Sequence, residues 1–252
     1  MEQLKKFFYN KRILITGHTG FKGSWLTFWL LKYNANIIGI SKDLPSNPNM
    51  HKVLGNEKNL KNYRLDICRE KSIKKVFKNH KPQIVFHLAA QAIVSESFKV
   101  PKETYMSNVI GTMSVLEAIR ETPSVKSVVI VTSDKCYDMK SQKVFIESDP
   151  LGGRDIYSSS KASCEILVSS YRDSFLSKTS SPRVATVRAG NVIGGGDWSK
   201  NRILPDIFRA IQKKKPLYIR NPSATRPWQH VLDPLHGYMI LAKKLYDKKK
   251  GF

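Results

Sequence analysis

Cysteine is scarce in this chain and forms none of the usual pairs. The 252 residues include three cysteines, Cys68, Cys136 and Cys164, and no CxxC motif. Small secreted domains that depend on disulfides carry many closely spaced cysteines, so a disulfide framework is excluded. This cysteine content is typical of a protein that works in a reducing compartment, and we expect a cytoplasmic location.

The sequence also lacks long apolar runs and metal-binding motifs. Residues 1–10 contain lysines but not the apolar core of a signal peptide. No apolar run reaches the roughly 18 residues of a membrane span, so we expect no membrane partner. The six histidines follow neither HExxH nor another ligand spacing, and we expect no metal site.

Acidic residues are few relative to basic ones. The chain has 20 Asp and Glu against 43 Lys and Arg, a formal net charge of +23. The lysines are scattered and form no arginine-rich stripe interleaved with aromatic residues, so nucleic-acid binding is not expected as the main role. Such a positive field favours the capture of an anionic small molecule.

The N-terminal part of the chain combines a short strand, a glycine-rich turn and a helix. A strand is predicted over 12–16, residues 17–23 read Gly-His-Thr-Gly-Phe-Lys-Gly, and a helix is predicted over 24–32. Glycines permit a tight turn and a close approach to a pyrophosphate, and the helix N-terminus adds free N–H groups. An exposed loop histidine is the alternative for His18. The segment predicts a dinucleotide site with these cofactor-binding residues: Gly17, His18, Gly20, Phe21, Lys22 and Gly23.

A second strand, predicted over 36–40, ends at three polar residues. Ser41 follows the strand, and Lys42 and Asp43 come next. An acid near this position binds the ribose hydroxyls of NAD, whereas a cation accepts the 2′-phosphate of NADP. The pair leaves both cofactors open, and we favour NAD with Asp43 as the ribose ligand.

The segment that follows is predicted to reach the adenine. It starts as a loop over 44–60 and continues as a short strand over 62–65. At the end of that strand, Asp66 and Ile67 are expected beside the adenine amino group. The alternative is Asp66 as the N-cap of a helix predicted over 70–79.

Strands and helices alternate along the chain. Strands are predicted over 83–86, 128–131 and 183–188, with helices over 102–121 and around Tyr157. This alternation predicts an α/β fold with a doubly wound parallel sheet of the Rossmann type. The strand at 83–86 is followed by residues expected to line the cofactor and, at Gln91, the substrate: Leu88, Ala89, Ala90 and Gln91.

The character of the chain changes after residue 190. Residues 221–230 are polar and aromatic with little periodicity, between helices predicted over 202–213 and 234–246. That composition suits a substrate pocket. We therefore predict an NAD-binding Rossmann-type domain over 1–190 and a small substrate lobe over 191–252.

Two polar segments carry the candidate chemistry. Tyr157 and Lys161 are four residues apart and therefore share one face of a helix. There the ammonium of Lys161 can stabilise a Tyr157 phenolate, a base for a substrate hydroxyl, and can also hold a cofactor ribose. The same spacing occurs on ordinary surface helices, but here residues 132–137, Thr-Ser-Asp-Lys-Cys-Tyr, follow a predicted buried strand. Their polar groups are expected at its carboxyl end, where open α/β sheets bind ligands.

These motifs together resemble the extended short-chain dehydrogenase/reductases that act on nucleotide sugars. Within that group, blocks 17–25, 132–137, 188–198 and 226–231 are similar to the CDP-glucose 4,6-dehydratases. The resemblance covers nearly the whole chain. Members of that family usually run considerably further, so we expect a truncated C-terminal substrate lobe.

The resemblance implies an internal oxidation and reduction with bound NAD as the cofactor. Tyr157, helped by Lys161 and Ser133, takes the proton of the sugar 4-hydroxyl while hydride passes to NAD. The 4-keto group acidifies C5, a base removes the C5 proton, Asp134 helps the 6-hydroxyl leave as water, and hydride returns to C6.

The base at C5 is the distinctive element of this implied site. Sugar dehydratases commonly carry Asp-Glu at this strand end, whereas this chain has Asp134-Lys135, as in the CDP-glucose branch. The resemblance therefore implies Lys135 as the base, which requires a neutral amine near neutral pH. The alternative is Lys135 as an ion-pair partner of Asp134.

The resemblance also implies substrate ligands and a biological setting. Asn191 is expected at the sugar or phosphate, Arg202 and Arg226 at the diphosphate, and Trp228 at the base or sugar, with a core tryptophan as its alternative. Gln91 and Asn108 complete the expected substrate residues. We expect CDP-glucose as substrate, a homodimer or higher homo-oligomer formed through helices around 104–121 and 157–175, and a place in deoxysugar synthesis for lipopolysaccharide O-antigen. Alternatives are another nucleotide-sugar dehydratase or epimerase, or an inactive nucleotide-binding remnant.

Overall fold

Six parallel strands form the central sheet of the protein. The computed structural model describes residues 1–139, 144–179, 181–219 and 221–248. The strands are β1 (Arg12–Thr16), β2 (Asn36–Ser41), β3 (Lys61–Arg64), β4 (Ile84–His87), β5 (Ser127–Val131) and β6 (Arg183–Val187). Their order in the sheet is β3-β2-β1-β4-β5-β6, which confirms the predicted doubly wound parallel sheet. The strand order reverses between β1 and β4, and ligands bind at the carboxyl ends beside such a reversal.

Helices cover both faces of this sheet. Those that the structure describes are α1 (Glu2–Phe8), α2 (Phe21–Lys32), α3 (Met50–Val53), α4 (Glu70–His80), α5 (Val94–Ser97), α6 (Pro101–Tyr105), α7 (Gly111–Arg120), α8 (Ile156–Phe175), α9 (Ile203–Gln212) and α10 (Leu232–Tyr246). On β1, Ile13 and Ile15 pack with α1, α2 and α10, whereas Leu14 packs with α4, α7 and α8. Successive strand residues point to opposite faces, so both faces of the sheet are apolar and covered. Over the described ranges, no helix is both long and apolar enough to cross a membrane.

Helix α10 lies within the predicted substrate lobe in sequence but packs on the sheet. Leu235, Met239 and Ala242 are fully buried in the same cluster as Phe8 and Val129. The two strands that precede α10, β7 (Asn191–Ile193) and β8 (Trp228–His230), form a separate parallel pair. The predicted division of the chain at residue 190 stays a prediction, and residues 249–252 of the predicted lobe lie outside the described part.

The segment predicted as a loop over 44–60 contains two helical turns, so this prediction was wrong. Asn49 caps α3 by accepting a hydrogen bond from the His51 N–H at 3.0 Å, and its amide donates to the carbonyl of Thr19 at 3.1 Å. A 3₁₀ turn over Asn56–Asn59 follows, and Asn56 donates to the carbonyl of Ser24 at 3.0 Å. Asparagine side chains therefore fasten this segment to the glycine-rich turn and to α2.

Two buried histidines lie where this segment meets the glycine-rich turn. The rings of His18 and His51 meet edge to face with centroids 4.9 Å apart, and both side chains are fully buried. Nδ1 of His18 hydrogen-bonds the Ser41 hydroxyl at 2.9 Å, and Nε2 hydrogen-bonds Asn62 at 3.0 Å. Both ring nitrogens of His51 are buried without a partner among the described residues. Burial, helped by neighbouring positive charge, lowers the pKa of each histidine from 6.5 to about 4.

The position of α10 leads to a first prediction. Met239→Ala is expected to lower the free energy of unfolding by about 2–5 kcal/mol, because it opens a cavity in the main core. Ile211→Ala on α9 is the control, because Ile211 is 66% exposed and its loss should change stability by less than about 0.5 kcal/mol. Urea unfolding measures both, and equal effects would exclude α10 from the core.

The buried histidines lead to a second prediction. An unfolded histidine binds its proton near pH 6.5, whereas folded His51 binds it only near pH 4, so its contribution to stability is lost as pH falls through that window. His51→Leu removes this contribution and should lose less unfolding free energy than the wild type between pH 7 and pH 4.5. Parallel pH curves in urea unfolding would contradict the prediction.

Candidate active site

Two glycines of the turn after β1, Gly17 and Gly23, have no room for a side chain. Gly17 has a φ of +73°, and a Cβ there would lie 2.6 Å from the backbone nitrogen of Ala89. A Cβ on Gly23 would lie 2.0 Å from the carbonyl oxygen of Gly17. No side chain caps the helix that begins after Gly20, within the described residues. A bare helix N-terminus behind a backbone turn fits the pyrophosphate of a dinucleotide such as NAD.

The residues that follow β4 pack directly against this turn. The N–H groups of Leu88 and Ala89 donate to the carbonyl and hydroxyl of Thr16 at 3.0 and 3.2 Å. Leu88, Ala89 and Ala90 are half-buried there. His87 at the strand end is hydrogen-bonded on both ring nitrogens, to Thr16 at 2.7 Å and to Thr112 at 2.9 Å. Burial, and then the charge of Lys161, lowers its pKa to about 3, so the ring is a neutral spacer.

His18 and Asp43 occupy different surroundings at the other end of the turn. The exposed alternative for His18 is wrong, because its ring is fully buried under α3. Asp43 is exposed, and its carbonyl accepts hydrogen bonds from the Thr19 hydroxyl at 2.6 Å and from Arg64 at 3.3 Å. These two hydrogen bonds hold the backbone at Asp43, and contact of its carboxylate with a ribose stays a prediction.

Asp66 lies beyond β3 and is half-buried. Its carboxylate accepts the N–H of Cys68 at 2.9 Å and pairs with Lys42 at 3.4 Å. Burial opposes its charge, but these hydrogen bonds outweigh burial and lower its pKa. The capping alternative is wrong, because α4 begins after Arg69 without a side-chain cap. Ile67 is buried against Gly111.

Helix α8 carries the tyrosine and lysine to the end of β5. Asp155 caps this helix by accepting the Ser158 N–H at 2.9 Å, which fixes where the helix begins. Tyr157 and Lys161 are both buried, and Nζ of Lys161 donates to the carbonyl of Val131 at 3.1 Å. That carbonyl belongs to the last residue of β5.

The polar segment after β5 forms a tight 3₁₀ turn. The Ser133 hydroxyl donates to Asp134 at 3.0 Å and accepts the Lys135 N–H at 3.2 Å. Ser133 is buried, and Asp134 and Lys135 are half-buried. No ion pair between Asp134 and Lys135 is present in the described part of the chain, so the ion-pair alternative for Lys135 does not hold here.

Lys22 belongs to the glycine-rich turn and lies near the candidate catalytic residues Lys161 and Asp134. Its Nζ lies 5.9 Å from the ring centroid of Tyr238 on α10. Burial, followed by the charges of Lys161 and Arg202, lowers the pKa of Lys22 to about 7, and Asp134 opposes the shift. The side chain of Lys22 is therefore within electrostatic range of the candidate catalytic residues. The sequence had predicted Lys22 only as a ligand of the cofactor pyrophosphate.

Gln91 and Asn108 lie side by side and hydrogen-bond each other. The Gln91 N–H donates to Asn108 at 2.8 Å, and the Asn108 amide donates to the Gln91 carbonyl at 3.1 Å and to Ser160 at 2.9 Å. A π-helical turn, Met106–Ile110, interrupts the helix predicted over 102–121 at this point. Such turns often occur at functional sites. Contact of either residue with a substrate stays a prediction.

The remaining predicted substrate residues come from the segment around β7 and β8 and differ in exposure. Asn191 is half-buried on β7, and Arg202 pairs with Asp197 at 3.4 Å. Arg226 is exposed and donates to the carbonyl of its neighbour Thr225. Trp228 is 47% exposed, so the core alternative for this tryptophan is wrong. The structure thus joins Lys161 to the strand end that the Ser133–Lys135 turn follows, and leaves Arg226 and Trp228 at the surface.

Sequence reasoning missed a buried carboxylate behind the reaction centre. Glu165 accepts hydrogen bonds from the hydroxyls of Thr132 and Thr186 and from Arg188. Burial opposes its charge, but these three donors outweigh it and lower the pKa of Glu165. The available signal was its spacing, four residues after Lys161 on the same helix face. Among the described residues, no group of three or more His, Cys, Asp or Glu could hold a metal ion.

Comparison with known proteins agrees with this geometry. The model of the family described as GDP-mannose 4,6 dehydratase matches residues 14–249. The chain is 42% identical to a CDP-glucose 4,6-dehydratase of Salmonella typhimurium, an alignment that covers 98% of this chain and 70% of that protein.

Solved structures of an epimerase and of a dehydratase share the fold of this chain. An epimerase from Methanothermobacter thermautotrophicus has a TM-score of 0.84 at 26% identity, covering 95% of this chain and 70% of that one. A dTDP-glucose 4,6-dehydratase from Bacillus anthracis, solved in complex with NAD, has a TM-score of 0.78 at 25% identity, covering 93% and 72%. The chain belongs to the GDP-mannose 4,6 dehydratase family, among the short-chain dehydrogenase/reductases that modify nucleotide sugars.

Proposed function

We propose that this protein is an NAD-dependent lyase that converts CDP-glucose to CDP-4-keto-6-deoxyglucose with loss of water. The observation that carries the proposal is the Ser133-Asp134-Lys135 turn beside the strand end that Lys161 contacts. The choice of CDP-glucose is supported by the 42% identity to the Salmonella CDP-glucose 4,6-dehydratase.

The glycine-rich turn and the ends of β2 and β4 are the proposed cofactor site. The backbone at Gly17, Gly20 and Gly23 would hold the pyrophosphate, and the carboxylate of Asp43 would bind the ribose. Bound NAD supplies the chemistry of accepting a hydride from sugar C4 and returning it at C6. The remaining proposed cofactor contacts come from these residues: His18, Phe21, Lys22, Asp66, Ile67, Leu88, Ala89 and Ala90.

Tyr157 is the proposed base at the sugar 4-hydroxyl. Its phenolate oxygen takes the hydroxyl proton, so that a C4–O double bond forms as the C4–H bond breaks. Lys161 stabilises the phenolate from the same helix face, and the hydroxyl of Ser133 donates to the developing carbonyl oxygen. Both supporting groups are buried, which strengthens their electrostatic effect.

Elimination of water is assigned to the neighbouring pair. The amine of Lys135 removes the C5 proton, which the 4-keto group has acidified, and Asp134 gives a proton to the 6-hydroxyl. The C6–O bond then breaks, water leaves, and a C5–C6 double bond remains to be reduced. Before substrate binds, the Ser133 hydroxyl, 3.0 Å from Asp134, holds that carboxyl group in place.

The substrate side, assembly and setting complete the proposal. Asn191, Arg202 and Arg226 would bind the sugar and diphosphate, Trp228 the base or sugar, and Gln91 and Asn108 would support the sugar end. We place the enzyme in the cytoplasm, in deoxysugar synthesis for lipopolysaccharide O-antigen. A homodimer formed through the helices around 104–121 and 157–175 is supported by apolar side chains exposed on them, including Tyr105, Met106 and Ile166.

The substrate assignment makes a third prediction. Purified protein with NAD should form the 4-keto-6-deoxy product, detected by its absorbance in alkali, from CDP-glucose and not at comparable rates from dTDP-glucose, UDP-glucose or GDP-mannose. Tyr157→Phe should lower turnover by about 10²–10⁴-fold through loss of the base. Product from another nucleotide sugar alone would replace the substrate assignment, and cofactor binding without any turnover would identify an inactive remnant.

The role of Lys135 makes a fourth prediction. Lys135→Met should abolish the solvent deuterium that wild-type protein places at C5 of the sugar, because no amine remains to exchange that proton. Lys126→Met is the matched control, since Lys126 is an exposed lysine at the far end of β5 and its loss should leave exchange unchanged. Normal deuterium incorporation in Lys135→Met, read by NMR, would remove Lys135 from the role of base.

A further inference from the structure

We infer that Glu165 is a positioning residue that holds the Tyr157–Lys161 helix in register with the Ser133–Lys135 turn. The inference rests on the proposed function of those residues. It is carried by a network of hydrogen bonds that links α8 to the ends of β5 and β6 behind the reaction centre.

The carboxylate of Glu165 is the centre of this network. It lies one helical turn after Lys161, and its side chain is 5% exposed. Oε1 accepts the hydroxyl of Thr132, while Oε2 accepts the Thr186 hydroxyl at 2.8 Å and Nη2 of Arg188 at 3.0 Å. A single buried group on the catalytic helix therefore contacts both neighbouring strand ends.

Thr132 transmits this contact to the first residues of the turn. It directly precedes Ser133, and its N–H donates to the carbonyl of Val187 at 2.9 Å. The N–H of Asp134 donates to the carbonyl of Ala189 at 3.3 Å. Because Thr132 is held from the side chain as well as the backbone, Ser133 has little freedom to move away from α8.

Arg188 extends the contact to the far end of the same turn. Its guanidinium lies over the ring of Tyr137, 4.7 Å from the centroid, and Nη1 donates to the carbonyl of Glu147 at 3.0 Å. Tyr137 directly follows the 3₁₀ turn Asp134–Cys136. The turn is therefore fixed at both ends, through Thr132 before it and Tyr137 after it, by one ion pair.

The buried ion pair between Glu165 and Arg188 contributes more to the geometry of the site than to the stability of the fold. Buried pairs lose much of their attraction to desolvation, and apolar replacements are often as stable. A carboxylate that accepts three directed hydrogen bonds instead permits one arrangement of its donors. The arrangement selected here is the one that brings Tyr157, Lys161 and Ser133 to the same strand end.

The test removes the Thr132 hydroxyl, with its hydrogen bonds to Glu165 and to the carbonyl of Val187, while keeping the ion pair. In Thr132→Val the hydroxyl is lost but Glu165 and Arg188 remain paired, and kcat for CDP-glucose dehydration should fall about ten- to hundredfold with NAD affinity and KM within about twofold. Thr132→Ser restores the hydroxyl and should restore kcat. The matched control is Thr122→Val, because Thr122 is a buried threonine that donates to the Ala118 carbonyl at 2.6 Å, at the end of α7.

A second measurement keeps the inference separate from the proposed function. Amide hydrogen exchange over residues 133–137 should quicken several-fold in Thr132→Val and stay at the wild-type rate in Thr122→Val, whatever substrate the protein uses. Wild-type exchange in Thr132→Val, or a kcat loss that merely follows a Tm loss shared with Thr122→Val, would overturn the positioning role. Absence of CDP-glucose turnover in the wild type, with quickened exchange in Thr132→Val, would instead overturn only the proposed function.

Discussion

The hydrogen bond from Lys161 to the carbonyl of Val131, 3.1 Å long, organises the candidate active site. A buried ammonium needs acceptors, because removing it from water without them is costly. The carbonyl at the end of β5 is such an acceptor, and it draws α8 against the strand end. Tyr157 on the helix and Ser133 after the strand are thereby brought to the carboxyl end of β5. This end lies one strand away from the reversal of strand order between β1 and β4, where Rossmann-type folds bind ligands.

Positive charge is concentrated around this contact. Lys161 and Arg202 lie within electrostatic range of Lys22, and the lowered pKa of Lys22 reflects its burial together with their repulsion. Asp134 compensates only part of this charge. A dinucleotide and a nucleotide sugar each carry a pyrophosphate, so ligands of this class relieve the repulsion and gain affinity from it. The net charge of +23 thus has a local counterpart in the cleft.

The C-terminal elements divide between core and cleft. Helix α10 returns to the sheet and buries Met239 among the side chains of β1 and β5, and it also supplies Tyr238 beneath Lys22. In contrast, Trp228 on β8 and Arg226 just before it are exposed. The CDP-glucose 4,6-dehydratase of Salmonella typhimurium aligns with this chain over 70% of its own length, and that alignment covers 98% of this chain.

Local sequence patterns determined the six strands of the main sheet, the glycine-rich turn and the pairing of Tyr157 with Lys161, because periodicity and turn chemistry act between near neighbours. They did not predict β7 or β8. The contact of Asn49 with the carbonyl of Thr19, the burial of His18, the position of Lys22 and the network around Glu165 came only from the tertiary structure. Each depends on a partner far away in the chain, such as Thr132 for Glu165 or Tyr238 for Lys22. Spacing shows which residues share a helix face, but only the packed sheet decides what that face meets.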